Sequence, residues 1–120
     1  MRGQSWNDAR AADRFDIAAR SLYLIGIGGC GMSGLARMLR ARGASVSGSD
    51  LHPSDTTNAL AAEGISIGFD QSKPWLPDAC DLVVASAAIK PDHPPVLEAE
   101  LRGIEVLFYA EALALCMLGR

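Results

Sequence analysis

The sequence predicts an α/β fold, a Rossmann-like three-layer domain built on a five-stranded parallel sheet. Two observations carry that expectation. From Leu22 onward, short apolar runs alternate with stretches of helical pattern, as in a parallel sheet whose connecting helices cover both faces. The first run also ends in a glycine-rich turn, Gly26-Ile-Gly-Gly-Cys-Gly31, that opens into a helix. Such turns sit where open parallel sheets bind phosphates. With 120 residues, 49% of them hydrophobic and 21% charged, the chain suits one globular core rather than two domains or a disordered segment.

Residues 1–21 read as a polar leader containing Trp6, Asn7 and Asp8, with a short helix expected over Asp8–Arg20. Leu22–Ile25 is a buried strand. Met32–Arg42 is a helix in which Met32, Leu35, Ala36 and Leu39 share one face, with Gly43 ending it. Ala44–Ser49 is a second strand, closing at Asp50. Thr56–Glu63 is a helix, with Ser54 or Asp55 as its N-cap and Gly64 as its stop. Ile65–Gly68 is a short third strand, and Asp70–Ala79, with Pro74, Trp75 and Pro77, the least regular stretch. Asp81–Ser86 is apolar on both sides, as a strand covered on both faces must be. Pro94–Arg102 is a helix with proline in its first turn. Glu105–Phe108 is the fifth strand and Ala110–Leu118 the last helix. The expected strand order, 3-2-1-4-5, puts the switch point between the first and fourth strands.

That order gathers the candidate site at the strand C-termini, bounded by Gly28–Ser33, Asp50 and Ser86–Ile89. Gly26, Gly28 and Gly31 spell G-x-G-x-x-G. The first glycine allows the tight turn, the second a close backbone approach to phosphate, the third close packing of helix on strand. A purely structural turn carries the same glycines. Asp50 lies about 20 residues beyond the loop, where an acidic side chain accepts hydrogen bonds from ribose hydroxyls; capping the next turn is its alternative role. Ser86 either bonds a ligand or caps its own turn. Lys90 is an exposed loop lysine or a point charge for phosphate. His52 and His93 read as loop histidines, and Met32 and Met38 as packing residues of the first helix. Trp75 is a loop anchor or a lid.

Other chemistries find no support. No G-x-x-x-x-G-K-[ST] string is present, and glycine precedes neither Lys73 nor Lys90, so no ATP-binding P-loop is expected. No nucleophile elbow or metal-ligand spacing occurs, and no catalytic residue is assigned. Cys30, Cys80 and Cys116 are odd in number and widely spaced, which suits neither a disulfide framework nor a zinc site. Cys30 reads as a small residue filling a tight loop, or as a thiol activated by the helix start. The formal charge of −3 conceals an asymmetry: residues 1–42 carry seven arginines against three aspartates, and the remainder four bases against eleven acids. Arg37, Arg40 and Arg42 are read as a solvated helix face without interleaved aromatics, which argues against a nucleic-acid surface. No apolar run is long enough to span a bilayer and no signal-peptide core opens the chain; a cytoplasmic protein is expected.

The string Gly26-Ile-Gly-Gly-Cys-Gly-Met-Ser-Gly34, followed by Val46-Ser-Gly-Ser-Asp-Leu51, closely resembles the N-terminal domain of the Mur ligases. The likeness continues through Val83-Val-Ala-Ser-Ala-Ala-Ile89, Arg102-Gly-Ile-Glu-Val106 and Ala110-Glu-Ala-Leu113. It implies that residues 22–120 form a domain holding the UDP part of UDP-N-acetylmuramate. Gly28, Gly29, Cys30, Gly31, Met32 and Ser33 would cradle the diphosphate, Asp50 and Leu51 would border the uridine, and Ser86, Ala87 and Ala88 would line the opposite wall. It further implies a parent enzyme whose central domain supplies ATP and magnesium sites and whose C-terminal domain binds the amino acid. That parent would phosphorylate the muramyl carboxylate, and the amine of L-alanine would attack the acyl phosphate. The chain is then an excised or truncated domain without ligase activity of its own.

Four positions depart from the family's habits. A second serine is common where Ala87 stands, histidine where Phe69 stands, asparagine where His93 stands, and a basic pair where Phe108-Tyr109 stands. Two other readings remain open at this point. Gly26, Gly28, Gly31 and Asp50 also fit an NAD(P)- or FAD-binding domain of an oxidoreductase, and a non-catalytic nucleotide-sensing module would need no more than the same loop. Fold alone does not separate them.

Overall fold

The computed structural model describes residues 17–70, 72–73 and 75–118. Its elements run β1 (Ser21–Ile25), α1 (Met32–Ala41), β2 (Ser45–Ser49), α2 (Asp55–Ala62), β3 (Ser66–Gly68), β4 (Leu82–Ala85), α3 (Pro94–Leu101), β5 (Glu105–Phe108) and α4 (Tyr109–Leu118). The strands form one five-stranded sheet in the order β3-β2-β1-β4-β5, and every pairing is parallel. The expected architecture and strand order are therefore those observed, with element ends shifted by a residue.

Period-two alternation in the strands divides the core into two layers. Leu22, Leu24, Leu82, Val84 and Leu107 point to one face, where Leu35 and Leu39 of α1, Leu60 of α2, and Ala112 and Leu115 of α4 meet them. Tyr23, Ile25, Val83 and Ala85 point to the other, against Val96 and Ala99 of α3. All four residues of β4 are buried, as expected of a strand covered on both faces. On this second face α3 shares the covering with the irregular loop after β3. Leu76 is buried there, and the Trp75 ring stands edge-on to Tyr23 with centroids 5.8 Å apart. Trp75 itself is 58% exposed, so Leu76 is the buried anchor of this loop and Trp75 adds the edge contact. Arg102, just past α3, fastens the same loop by donating to the carbonyls of Pro77 at 2.9 Å and Leu76 at 3.3 Å while pairing with Glu98 at 2.7 Å.

Local signals explain the helix ends. Ser54 is the N-cap of α2, and its hydroxyl accepts the Thr57 N–H at 3.1 Å while Thr57 Oγ1 accepts the Ser54 N–H at 2.8 Å. This reciprocal capping box satisfies donors that the helix itself cannot. Gly43 follows α1 in the left-handed region, with φ +97°, a conformation in which a Cβ would be strained.

Three expectations need correction. Met38 is 37% exposed, because it falls outside the buried stripe of Met32, Leu35, Ala36 and Leu39. Arg42 does not belong to a solvated face; it is half-buried and donates to the Cys116 carbonyl, which draws the end of α1 toward α4. The helix expected over Asp8–Arg20 lies mostly outside the described residues. Its described end is a turn, with the Arg20 N–H bonded to the Ile17 carbonyl at 3.0 Å and Ala19 at φ +64°.

Candidate functional site

The glycine loop is tied to its neighbours before any ligand is considered. The N–H groups of Gly26 and Ile27 both donate to the Ser49 carbonyl, at 2.8 and 3.0 Å, so the loop leaves β1 fastened to the end of β2. Gly29 then bonds back to Gly26 at 2.9 Å, and Met32 to Gly29 at 3.1 Å. On the other side of β1 the Ser86 N–H donates to the Ile25 carbonyl at 3.0 Å. The ends of β2, β1 and β4 are thereby held side by side, and Asp50, the glycine loop and Ser86 converge as expected.

Each glycine of G-x-G-x-x-G faces a different neighbour. A Cβ on Gly26 would lie 2.8 Å from the Ser86 hydroxyl. On Gly28 it would lie 2.7 Å from Thr57 Cγ2 and 2.8 Å from Asp50 Oδ2. On Gly31, which precedes α1 with φ +85°, it would lie 2.6 Å from the Tyr109 hydroxyl. Real Cβ atoms do not approach so closely, so the loop excludes larger residues by contact at all three positions, and by conformation as well at Gly26 and Gly31, whose φ is positive.

Asp50 serves the loop directly. Its Oδ2 accepts the Gly28 N–H at 2.7 Å and its Oδ1 accepts the Leu51 N–H at 2.7 Å. The turn-capping role considered for Asp50 is present through Leu51, and the bond to Gly28 is a further role that sequence spacing does not reveal. Each carboxylate oxygen retains a lone pair that can accept a hydroxyl.

Beyond Gly28, the N–H groups of Cys30, Gly31, Ser33 and Gly34 have no acceptor among the described residues. They belong to the turn and first residues of α1, where the helix dipole adds partial positive charge. Cys30 is exposed rather than filling a gap. Met32 is buried under the loop at 1% exposure, so its side chain belongs to the core. Ser33 is half-buried.

The flanks are apolar. Leu51 is 65% and Phe69 40% exposed, each one or two residues past a neighbouring strand, and the Asp50 N–H bonded to the Gly68 carbonyl at 3.0 Å keeps the two segments together. Ala87 and Ala88 are exposed on the opposite side. His52 and Lys90 are exposed loop residues. His93 is the N-cap of α3, and its Nε2 is buried without a partner among the described residues. Burial holds its imidazole below the ordinary range, opposed by Asp92. Two residues that touch the loop, Thr57 and Tyr109, were not anticipated. The strand order offered a signal for Tyr109, since it follows the C-terminal end of β5, beside β4.

Comparison with known proteins identifies the family. The sequence profile described as Mur ligase family, catalytic domain, matches residues 21–120. UDP-N-acetylmuramate–L-alanine ligase of Kineococcus radiotolerans is 46% identical over 101 residues, covering 82% of this chain and 21% of that protein. The enzyme of the same name from Syntrophus aciditrophicus is 42% identical over 117 residues, covering 95% of this chain and 24% of its own length. The crystal structure of the UDP-N-acetylmuramate–alanine ligase of Thermotoga maritima superposes with a TM-score of 0.72 at 28% identity, over 78% of this chain and 21% of that one. The chain therefore spans about a fifth to a quarter of the length of the relatives it matches.

Proposed function

The chain belongs to the Mur ligase family, and from that premise we propose that it is the UDP-N-acetylmuramate-binding domain of a ligase that adds L-alanine to that sugar nucleotide. The supporting observation is the row of unpartnered N–H groups from Cys30 to Gly34, held by the Asp50–Gly28 bond at the start of α1. A diphosphate is the ligand such a row suits best. The apolar, exposed Leu51 borders the uridine with Asp50, and Ser86, Ala87 and Ala88 form the far wall.

ATP and magnesium belong to this reading only through the rest of the parent enzyme. The sequence has no P-loop string, and among the described residues no three His, Cys, Asp or Glu side chains group to hold a metal ion. The proposed role of this domain is to bind and orient the sugar nucleotide, while central and C-terminal domains supply phosphoryl transfer and the amino acid. Substrates of this kind are nucleotides of the cytoplasm, where we place the protein; no described helix is long and apolar enough to cross a membrane.

Calorimetric titration of the chain with UDP-N-acetylmuramate, UDP, NADH and NADPH tests the reading. Heat from the uridine ligands, abolished in Gly28→Val, is the expected result. Binding of a nicotinamide dinucleotide in their place would assign the loop to an oxidoreductase.

A further inference from the structure

The glycine loop carries a side-chain neighbour that its motif does not specify. Tyr109 opens α4 directly after β5, and its ring packs partly against the first core layer. A Cβ on Gly31 would lie 2.6 Å from its hydroxyl and 2.8 Å from Cζ, so the phenol rests on the residue immediately before α1. The hydroxyl has no hydrogen-bond partner among the described residues, yet it is not sealed off. His93 Nε2 is the buried polar side-chain atom left unpartnered among them, so the Tyr109 oxygen keeps access to solvent.

The rest of the loop's surroundings give this hydroxyl its weight. The side chains recorded against the glycines of the loop are those of Ser86, Thr57, Asp50, Met32 and Tyr109. None is a cation, and Asp50 is an anion already bonded to Gly28. Among these neighbours, an anionic ligand at the start of α1 meets neutral donors. Of the hydroxyls among these side chains, that of Thr57 is committed to the Ser54 carbonyl at 3.0 Å, whereas those of Ser86 and Tyr109 are uncommitted, and of the two the phenol is the one that lies against Gly31.

We propose that Tyr109 is a ligand-contacting, specificity-determining residue, whose phenolic O–H donates to a phosphoryl oxygen held at the start of α1. The proposal rests on the diphosphate reading of the loop given above. A phenol offers one directed donor and no charge, so it selects phosphate by geometry, where a lysine or arginine would add salt-sensitive attraction. Phenylalanine at this position keeps the ring against Gly31 and removes only the donor.

The test uses the 120-residue chain with UDP and uridine as probes, read at the backbone amides by NMR, in wild type, Tyr109→Phe and Gly28→Val. Tyr109→Phe is expected to weaken UDP roughly ten-fold, the loss of one hydrogen bond to a charged group. Its uridine affinity and melting temperature stay at wild-type values. Equal UDP affinity in wild type and Tyr109→Phe overturns the proposal, and so does a parallel loss of uridine, which would mean a merely structural role. If wild type binds no UDP, or Gly28→Val binds it unchanged, the diphosphate reading itself fails. If UDP binds wild type, fails with Gly28→Val and ignores Tyr109→Phe, only the role of Tyr109 is lost.

Discussion

Asp50 Oδ2 lies 2.7 Å from the Gly28 nitrogen and accepts its N–H, while Oδ1 accepts the Leu51 N–H at the same distance. One carboxylate therefore joins the loop after β1 to the turn after β2, two segments separated by more than twenty residues of chain. Removing it leaves two backbone donors to water, with the loop then held to β2 by the Ser49 carbonyl alone. Asp50→Ala is expected to lower stability by about 1.5 kcal/mol, the low end for a bond to a charged group at a partly exposed site, and to speed amide exchange at Gly28. Asp50→Asn retains a carbonyl acceptor and should keep Gly28 protected. Urea unfolding combined with hydrogen exchange measures both.

Gly28 itself leaves no room for growth. The Thr57 methyl that a Cβ would strike is fixed by the capping box of α2 and by its own burial at 1% exposure. Gly28→Ala should cost about 1–3 kcal/mol, the range for overpacking a tight contact. A Thr57→Ser, Gly28→Ala double variant should recover part of that loss, because serine removes the opposing methyl while keeping the capping hydroxyl. A double-variant cycle by thermal unfolding measures the coupling.

The features legible in sequence are those set by short-range pattern. The apolar runs at Leu22 and Leu82, the buried stripe of Met32, Leu35, Ala36 and Leu39, and the stops at Gly43 and Gly64 each follow from residues within a few positions of one another, and the structure has each of them. Asp50, Ser86 and the glycine loop could be brought together because strand order alone places strand ends. Tyr109 against Gly31, Thr57 against Gly28 and Arg42 on the Cys116 carbonyl could not. These contacts depend on side-chain direction across helices distant in sequence. The covering of Tyr23 by Trp75 likewise has no periodic signal, because a loop makes the contact where a helix would have announced itself.

Arg102 is the fastening of that loop. Its guanidinium spans the Leu76 and Pro77 carbonyls and the Glu98 carboxylate, a three-way contact that the ammonium of lysine cannot reproduce. Arg102→Ala is expected to destabilise by about 1–2 kcal/mol, roughly one net bond per carbonyl, and Arg102→Lys to restore little of it. In a Trp6→Phe background, Trp75 is the remaining tryptophan of the two. Its fluorescence should become easier to quench with acrylamide in Arg102→Ala.

Alkaline stability should carry the mark of Cys80. Burial pushes its thiol from the ordinary 9.0 up to about 11, opposed by a hydrogen bond with the Leu82 backbone. The unfolded chain thus releases this proton at lower pH than the folded one. The stabilisation is complete below about pH 9 and is lost as pH rises toward about 11. The shift corresponds to about 2 kcal/mol once partial exposure is allowed for. Burial raises Tyr23, opposed by its bond with Ser49, and Cys116, opposed by Arg42, so both act in the same direction. Urea midpoints between pH 8 and pH 11 should fall steadily in wild type and less steeply in Cys80→Ala.

Central to this account is a uridine diphosphate sugar held by backbone N–H groups at the start of α1, and backbone amide NMR of the chain with UDP-N-acetylmuramate tests it most directly. Saturable shifts are expected at Cys30, Gly31, Ser33 and Gly34, with smaller ones at Leu51 and Ser86 and none along α3. Shifts produced by NADH but not by the sugar nucleotide, or shifts that bypass Cys30 to Gly34, would contradict it.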